Sequence, residues 1–285
     1  TGFGKLDTTL DHSNFGVLGC FTEIPDSVSG ENPSLLFSFL EGRRASKFNH
    51  LKIFMYSNSD SGNIAIHLND TISDTLHIHQ TGYQQLDLKT DLFASQVEIE
   101  FNLSAGGMVY GISFDTGGGL QFDNIAMRGS AGLDFTRNNK QLLDTMISEL
   151  NPGLLLMQFG GNVVPYLQSA SYYKRTFMRE LKFIRELLPG VPILVIGPAD
   201  MATKENGYFT TYPMVEPVRN VLKEAALETG CGFWDMYSAM GGKSSIQDFV
   251  LADPPLATTD YIHFTQKGAN MMAGMFSDAL MLEYR

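Results

Sequence analysis

Residues 153–162 read GLLLMQFGGN, a short apolar run that ends in two glycines and an asparagine. A run of this kind, with no polar alternation, is the pattern of a strand buried on both faces, as in parallel sheets covered by helices. Its flanks agree. Upstream, RNNKQLLDTMISEL (137–150) sets Leu142, Leu143, Met146, Ile147 and Leu150 at helical spacing, and downstream SYYKRTFMRELKFIRELLPG (171–190) is an amphipathic helix closed by Pro-Gly. The unit then recurs as the strand VPILVIGPAD (191–200), the helix PVRNVLKEAALETG (217–230), the strand CGFWDMYSA (231–239) and a last helix from about Thr265. Such alternation builds right-handed crossovers. It predicts a three-layer α/β domain over residues 121–285, a parallel sheet with helices on both faces.

Toward the N-terminus the period changes near residue 120. Ile64, Ile66 and Leu68 alternate with polar residues, as do Leu76 and Ile78, then Val97, Ile99, Phe101 and Leu103, then Met108, Tyr110, Ile112 and Phe114. Side chains two apart share one face of a strand. Turn clusters such as SNSDSGN (57–63) and NDTISD (69–74) separate the runs. Residues 15–120 are therefore expected to form an all-β sandwich, with one helical turn near SLLFSFLEG (34–42), and residues 1–14 a leading segment packed near the α/β domain.

The chain has 285 residues, 44% of them hydrophobic, enough for a sizeable core in one large domain or two ordinary ones. Its formal net charge of -11 repels phosphate backbones and anionic headgroups, which excludes nucleic acid as an expected partner. No run approaches the roughly 18 apolar residues of a membrane span, and the opening TGFGKLDTTLDH is no signal peptide, so the chain reads as soluble. Cys20 and Cys231 are expected to be free core thiols.

Ligands of parallel sheets bind beyond the carboxyl ends of the strands. At those ends stand FGGNVV, with Gly161 and Asn162, and GPADMA, with Asp200. NIAMRGSAG, with Gly129 and Gly132, precedes the first helix, and DYIHF sets Asp260 three residues before His263 ahead of the last. A carboxylate that accepts an imidazole Nδ1–H fixes the tautomer and stabilises the imidazolium formed when Nε2 takes a proton. The Asn162 amide and the Gly129 N–H could serve a developing oxyanion. Asp200 either caps a helix or lines the acyl pocket.

The order of NIAMRGSAG, FGGNVV and DYIHF resembles the second, third and fifth blocks of the SGNH (GDSL-type) serine hydrolases, over about Asp123 to Arg285. The resemblance implies a flavodoxin-like hydrolase domain in which Asp260 and His263 are triad members and Asn162 and Gly129 donate to the oxyanion, with Gly132 as the alternative glycine. VYGISFDTGGGLQFDNIAMRGSAG and GFWDMYSAMGG are closer still to the peptidoglycan O-acetylesterases, in which a carbohydrate-binding-like β-jelly roll is inserted between the first and second blocks. That subgroup implies a bacterial periplasmic or extracellular protein acting on an acetylated polysaccharide, with no cofactor.

The first block, a Gly-Asp-Ser carrying the nucleophile, has no match. GRRAS, PDSVSG and DHSNFG are the nearest stretches; Ser13 and Ser27 follow no apolar strand, and Ser130 lacks the first glycine and the strand of a nucleophile elbow. The nucleophile is thus unidentified. Either the chain begins after its first block, the alternative that Thr1 and the missing first strand favour, or the enzyme is inactive. His67, His77 and His79 are not expected to hold a metal, Met271, Met272 and Met275 are expected to fill core gaps, Trp234 to be buried, and Arg43 and Arg44 to form a solvated turn. The expected function is a serine esterase removing O-acetyl groups from cell-wall glycan. Its alternative is a non-catalytic glycan-binding protein, with acyl transfer a third.

Overall fold

A computed structural model describes residues 15–27, 32–39, 48–69, 71–90, 94, 96–116, 118–127 and 129–282. Contacts divide the chain into two compact units, Thr1–Arg128 with Asn138–Glu149, and Gly129–Arg137 with Leu150–Arg285. The expected leading segment 1–14, Ser13, Arg43 and Arg44 lie outside the described residues.

The alternating runs of the first unit are strands β1 (Thr22–Ile24), β2 (Ser34–Ser38), β3 (His50–Ser57), β4 (Gly62–Leu68), β5 (Thr71–His77), β6 (Gly82–Lys89), β7 (Gln96–Leu103) and β8 (Gly107–Asp115). They form two four-stranded sheets, ordered β1-β8-β3-β6 and β2-β7-β4-β5. Every pairing in them is antiparallel. The apolar face of each sheet enters one shared core, where Leu51, Ile53 and Met55 of β3, Ile64 and Ile66 of β4, and Val97, Ile99 and Phe101 of β7 are fully buried. Burying a side chain of this size is worth about 1.5–3 kcal/mol, so this core is the main stabiliser of the unit. SLLFSFLEG, read above as a helical turn, instead supplies β2. Leu35 and Phe37 pack on the core while Leu36 is exposed, and pairing with β7 in the register Leu35↔Ile99 selects the period of two.

Helix α1 (Lys140–Leu150) packs on this unit through Leu143 and Met146. The approach is close: a Cβ on Gly16, which has φ +64, would lie 2.9 Å from both Met146 Sδ and Tyr110 Cδ1. Cys20 is exposed, against expectation, whereas Cys231 is buried.

In the second unit β9 (Leu155–Gln158), β10 (Ile193–Ile196) and β13 (Gly232–Trp234) make a parallel sheet ordered β13-β10-β9. Leu156 stands opposite Leu194, and Ile196 opposite Trp234. Helices α2 (Ala170–Leu187) and α3 (Val215–Glu228) lie against each other, with Lys174 Nζ 2.7 Å from Glu224 and 2.8 Å from Glu228. Ile196 enters a separate core with Met236 and Met240 of α4 (Met236–Met240), Ile246 and Phe249 of α5 (Ser245–Leu251) and Met272 of α6 (Gln266–Leu282). Successive strand side chains point to opposite faces, so fully buried Val195 faces away from that core. Trp234 is half-buried, edge-on to Phe276 at 5.1 Å. Of the last-helix methionines only Met272 fills the core; Met271 and Met275 are exposed because they lie off its buried stripe.

Two features depart from a simple three-layer reading. Parallel pairing is confined, among the described residues, to these three strands. A hairpin also follows β10, β11 (Ala202–Glu205) with β12 (Tyr208–Thr211), turning through Asn206 at φ 50 and Gly207 at φ 89. Two successive left-handed residues are what a two-residue hairpin turn needs, and Asn-Gly supplies them. Among the described residues β9 pairs with β10 alone, leaving one strand edge open. No described helix is long and apolar enough to cross a membrane.

Candidate active site

The loop after β9 turns on a glycine that nothing else could replace. Gly160 has φ +109, and a Cβ there would meet Leu222 Cδ1 at 2.9 Å and Val218 Cγ1 at 3.1 Å, both from α3, and Pro198 of the loop after β10 at 3.3 Å. The turn closes with the Val163 N–H donating to the Gly160 carbonyl at 2.9 Å and leaves Asn162 exposed at its tip. Asn162 Nδ2 donates to the Ser130 carbonyl at 3.3 Å. A Cβ on Gly161 would meet nothing within 4 Å, so Gly161 is not a packing requirement.

The loop holding Ser130 is fastened from below. Glu180 of α2, fully buried, accepts the Thr136 N–H at 2.8 Å and the Thr136 hydroxyl at 2.9 Å. Gly132, at φ +76, lies against the rings of Phe159 and Phe177, where a Cβ would be 2.8 Å from Phe159 Cγ. Its N–H donates to Ser130 Oγ at 3.0 Å, while that hydroxyl donates to Asp134 Oδ2 at 3.2 Å. Ser130 is therefore a buried turn hydroxyl with both capacities engaged. Gly129, at φ +78, is exposed beside it. Ser27 is tied likewise, accepting the Leu103 N–H at 3.1 Å and donating to the Phe101 carbonyl at 3.3 Å.

Asp260 and His263 form one constellation. The His263 Nδ1 lies 2.7 Å from Asp260 Oδ2, and Asp260 Oδ1 accepts the N–H groups of Ile262 at 2.9 Å and His263 at 3.0 Å, as well as the Thr258 hydroxyl. Desolvation pushes the carboxyl up, but the Thr258 hydroxyl, the imidazole and these two amides outweigh it and hold Asp260 well below the usual carboxylate range. An ionised Asp260 keeps the Nδ1–H tautomer, which turns Nε2 outward as a base on a side chain 75% exposed. The loop is closed by the Thr258 N–H donating to the His263 carbonyl at 2.8 Å and by the bridge Ala257↔Phe264.

Tyr261, between the two, has φ 59, a left-handed conformation costing an ordinary residue about 1–2 kcal/mol. Its ring stacks on Phe209 of β12 at 3.8 Å and 14°. Such pairs are worth about 0.5–1.5 kcal/mol beyond burial, comparable with the strain. The Tyr261 carbonyl accepts the Ala202 N–H at 2.9 Å, which ties the loop to the start of β11. Asp200, fully buried, turns instead to α5, where Oδ2 accepts the Ile246 N–H at 3.0 Å. Burial pushes its carboxyl up.

Three contacts thus link the loops beyond the carboxyl ends of the sheet: Ser130 with Asn162, Gly160 with Pro198, and Ala202 with Tyr261. Sequence reasoning missed the hairpin and its Phe209, although Asn206-Gly207 between ATKE and YFTT is a hairpin signal. His67 Nε2 lies 3.4 Å from Glu100 Oε2, and the rings of His77 and His79 are 6.4 Å apart.

Among solved structures the chain is similar to a peptidoglycan O-acetylesterase, with TM-score 0.74 and 17% identity over 98% of this chain and 74% of that one. A family two carbohydrate esterase from Clostridium thermocellum, in complex with cellohexaose, shares 9% identity over 92% of this chain and 94% of its own, with TM-score 0.34. A salicylyl-acyltransferase from a tetracycline biosynthetic pathway shares 12% over 93% and 97%, with TM-score 0.36. No curated protein matches by sequence. The first of these shows the fold. The GDSL-like Lipase/Acylhydrolase family matches residues 108–271, more than half of the chain, a span that takes in the loops of Asn162, Asp260 and His263 and makes the chain a member of that family of ester hydrolases.

Proposed function

We propose that this protein is a serine esterase that removes O-acetyl groups from a polysaccharide, bacterial cell-wall glycan above all, through an acyl-enzyme, and that it works in the periplasm or outside the cell. The reading is carried by the Asp260–His263 contact at 2.7 Å, with Nε2 turned to solvent. In it His263 takes the proton from a serine hydroxyl as that oxygen attacks the acetyl carbonyl, and returns it to the departing sugar oxygen; water then repeats the cycle and releases acetate. Asp260 holds the tautomer. The Asn162 amide and the Gly129 N–H receive the oxyanion. Gly129 is the better of the two glycines because the Gly132 amide is bound to Ser130 Oγ.

The serine comes, on this reading, from a Gly-Asp-Ser strand added to the edge of β9 that is open among the described residues; the hydroxyls of Ser27 and Ser130 are both committed to turns. Asp200 supports the site by holding α5 in place rather than by touching substrate. The antiparallel unit is assigned as a jelly roll over residues 15–120 that holds or shapes the glycan, followed by a hydrolase domain over 121–285. Cell-wall glycan as substrate extends to this chain the activity named for the structure with TM-score 0.74. Acetate release by the full-length protein tests the assignment: O-acetylated peptidoglycan should be deacetylated, and more readily than acetylated xylan. Binding of the same glycan without acetate release would leave glycan recognition on an inactive hydrolase scaffold as the function.

A further inference from the structure

The hairpin β11–β12 has no part in the chemistry described above, yet it meets the loop of Asp260 and His263 at two points. Phe209 stacks on Tyr261 with ring centroids 3.8 Å apart and planes 14° from parallel, and the Ala202 N–H donates to the Tyr261 carbonyl at 2.9 Å. The hairpin is itself braced. Gln247 Nε2 of α5 donates to the Phe209 carbonyl at 3.1 Å, the Ser244 N–H to the Thr211 hydroxyl at 2.9 Å, and the Tyr212 N–H to the Met201 carbonyl at 2.9 Å. Phe209 and Tyr261 both pack against the core that includes Ile246, Phe249 and Met272.

What the stack holds is a backbone that a tyrosine does not choose unaided. With Tyr261 at φ 59 the chain reverses so that Asp260 Oδ1 receives the Ile262 and His263 N–H groups while Oδ2 receives the imidazole. If Tyr261 relaxed to an extended conformation, that reversal would open and the carboxylate would leave Nδ1. We propose that Phe209 is a positioning residue for the Asp260–His263 pair: from a braced hairpin, its ring clamps Tyr261 in the left-handed conformation that folds Asp260 against the imidazole. The clamp serves catalysis insofar as the pair is the acid/base couple of the esterase reading.

The test reads the pair directly. In the full chain with 15N-labelled histidine, the His263 Nδ1 proton held by Asp260 should give a downfield resonance, assigned among the six histidines by its loss in His263→Gln. Phe209→Ala should speed solvent exchange of that proton by about tenfold or more, while Phe209→Tyr, which keeps the ring, should restore the wild-type rate. Wild-type exchange in folded Phe209→Ala overturns the proposal. Where Phe209→Ala does not fold, Tyr261→Ala takes its place, since alanine keeps the strain at φ 59 but offers no ring to clamp; faster exchange is expected and unchanged exchange overturns the proposal. Ester turnover separates the two readings. A clamped proton in a full-length protein that releases no acetate sinks the esterase and leaves the clamp standing.

Discussion

At Asp260 a single carboxylate accepts four donors, two from backbone and two from side chains, and each has a measurable consequence. Asp260→Asn should leave the fold intact and lower acetyl-ester turnover by about 10⁴, because the amide lets the imidazole adopt the wrong tautomer. Asn162→Ala, which removes one oxyanion donor, should cost about 10² to 10³ in kcat with KM little changed, measured on a small acetyl ester. The stability linkage has a definite sign. The folded carboxyl is held below its unfolded value of about 3.9, so the contribution of Asp260 is fully present above about pH 4 and lost as pH falls further. The difference in thermal midpoint between wild type and Asp260→Asn should therefore be flat from about pH 5 to 7 and shrink at lower pH. A difference that grew on acidification would contradict the assigned hydrogen bonds. Asp260 and His263 were legible in the sequence because their chemistry fits within four residues. The packing of Gly132 was not, because sequence shows two glycines and cannot show that Phe159 and Phe177 lie against Gly132 or that its amide is bound to Ser130 Oγ.

The glycines of the site loops separate packing from chemistry at the level of the elements. Gly132→Ala places a methyl 2.8 Å from Phe159 in a left-handed backbone and should cost about 1–3 kcal/mol, whereas Gly161→Ala enters open space and should stay within about 0.5 kcal/mol. Denaturant unfolding distinguishes them. Equal losses would mean that the loops are not seated on β9 and α2 as described. The strands and long helices were readable because each repeats one period over enough residues. Residues 34–42 were misread because SLLFSFLEG is apolar at both spacings, and the choice is made by β7, about sixty residues away in the chain. The hairpin after β10 escaped because its strands are four residues each and half-exposed, too short for a period.

Over the molecule, the change of period near residue 120 foretold the passage from antiparallel to parallel pairing. It could not foretell that α1 packs with the antiparallel unit, since a buried Leu143 and Met146 look alike against either partner. Among the described residues the parallel sheet ends at β9, and a strand edge of this kind favours another strand beside it. On the proposed function a Gly-Asp-Ser strand lies there, so backbone amides of Leu155–Gln158 that face that edge should be protected from hydrogen exchange in the full-length protein. The central claim, that Asp260 and His263 serve an activated serine, is tested most directly by labelling the full-length protein with a fluorophosphonate and locating the adduct by mass spectrometry. The account predicts one modified serine, in a Gly-Asp-Ser sequence, and its loss in His263→Ala; labelling that persists in His263→Ala, or no labelling of the wild type at all, would contradict it.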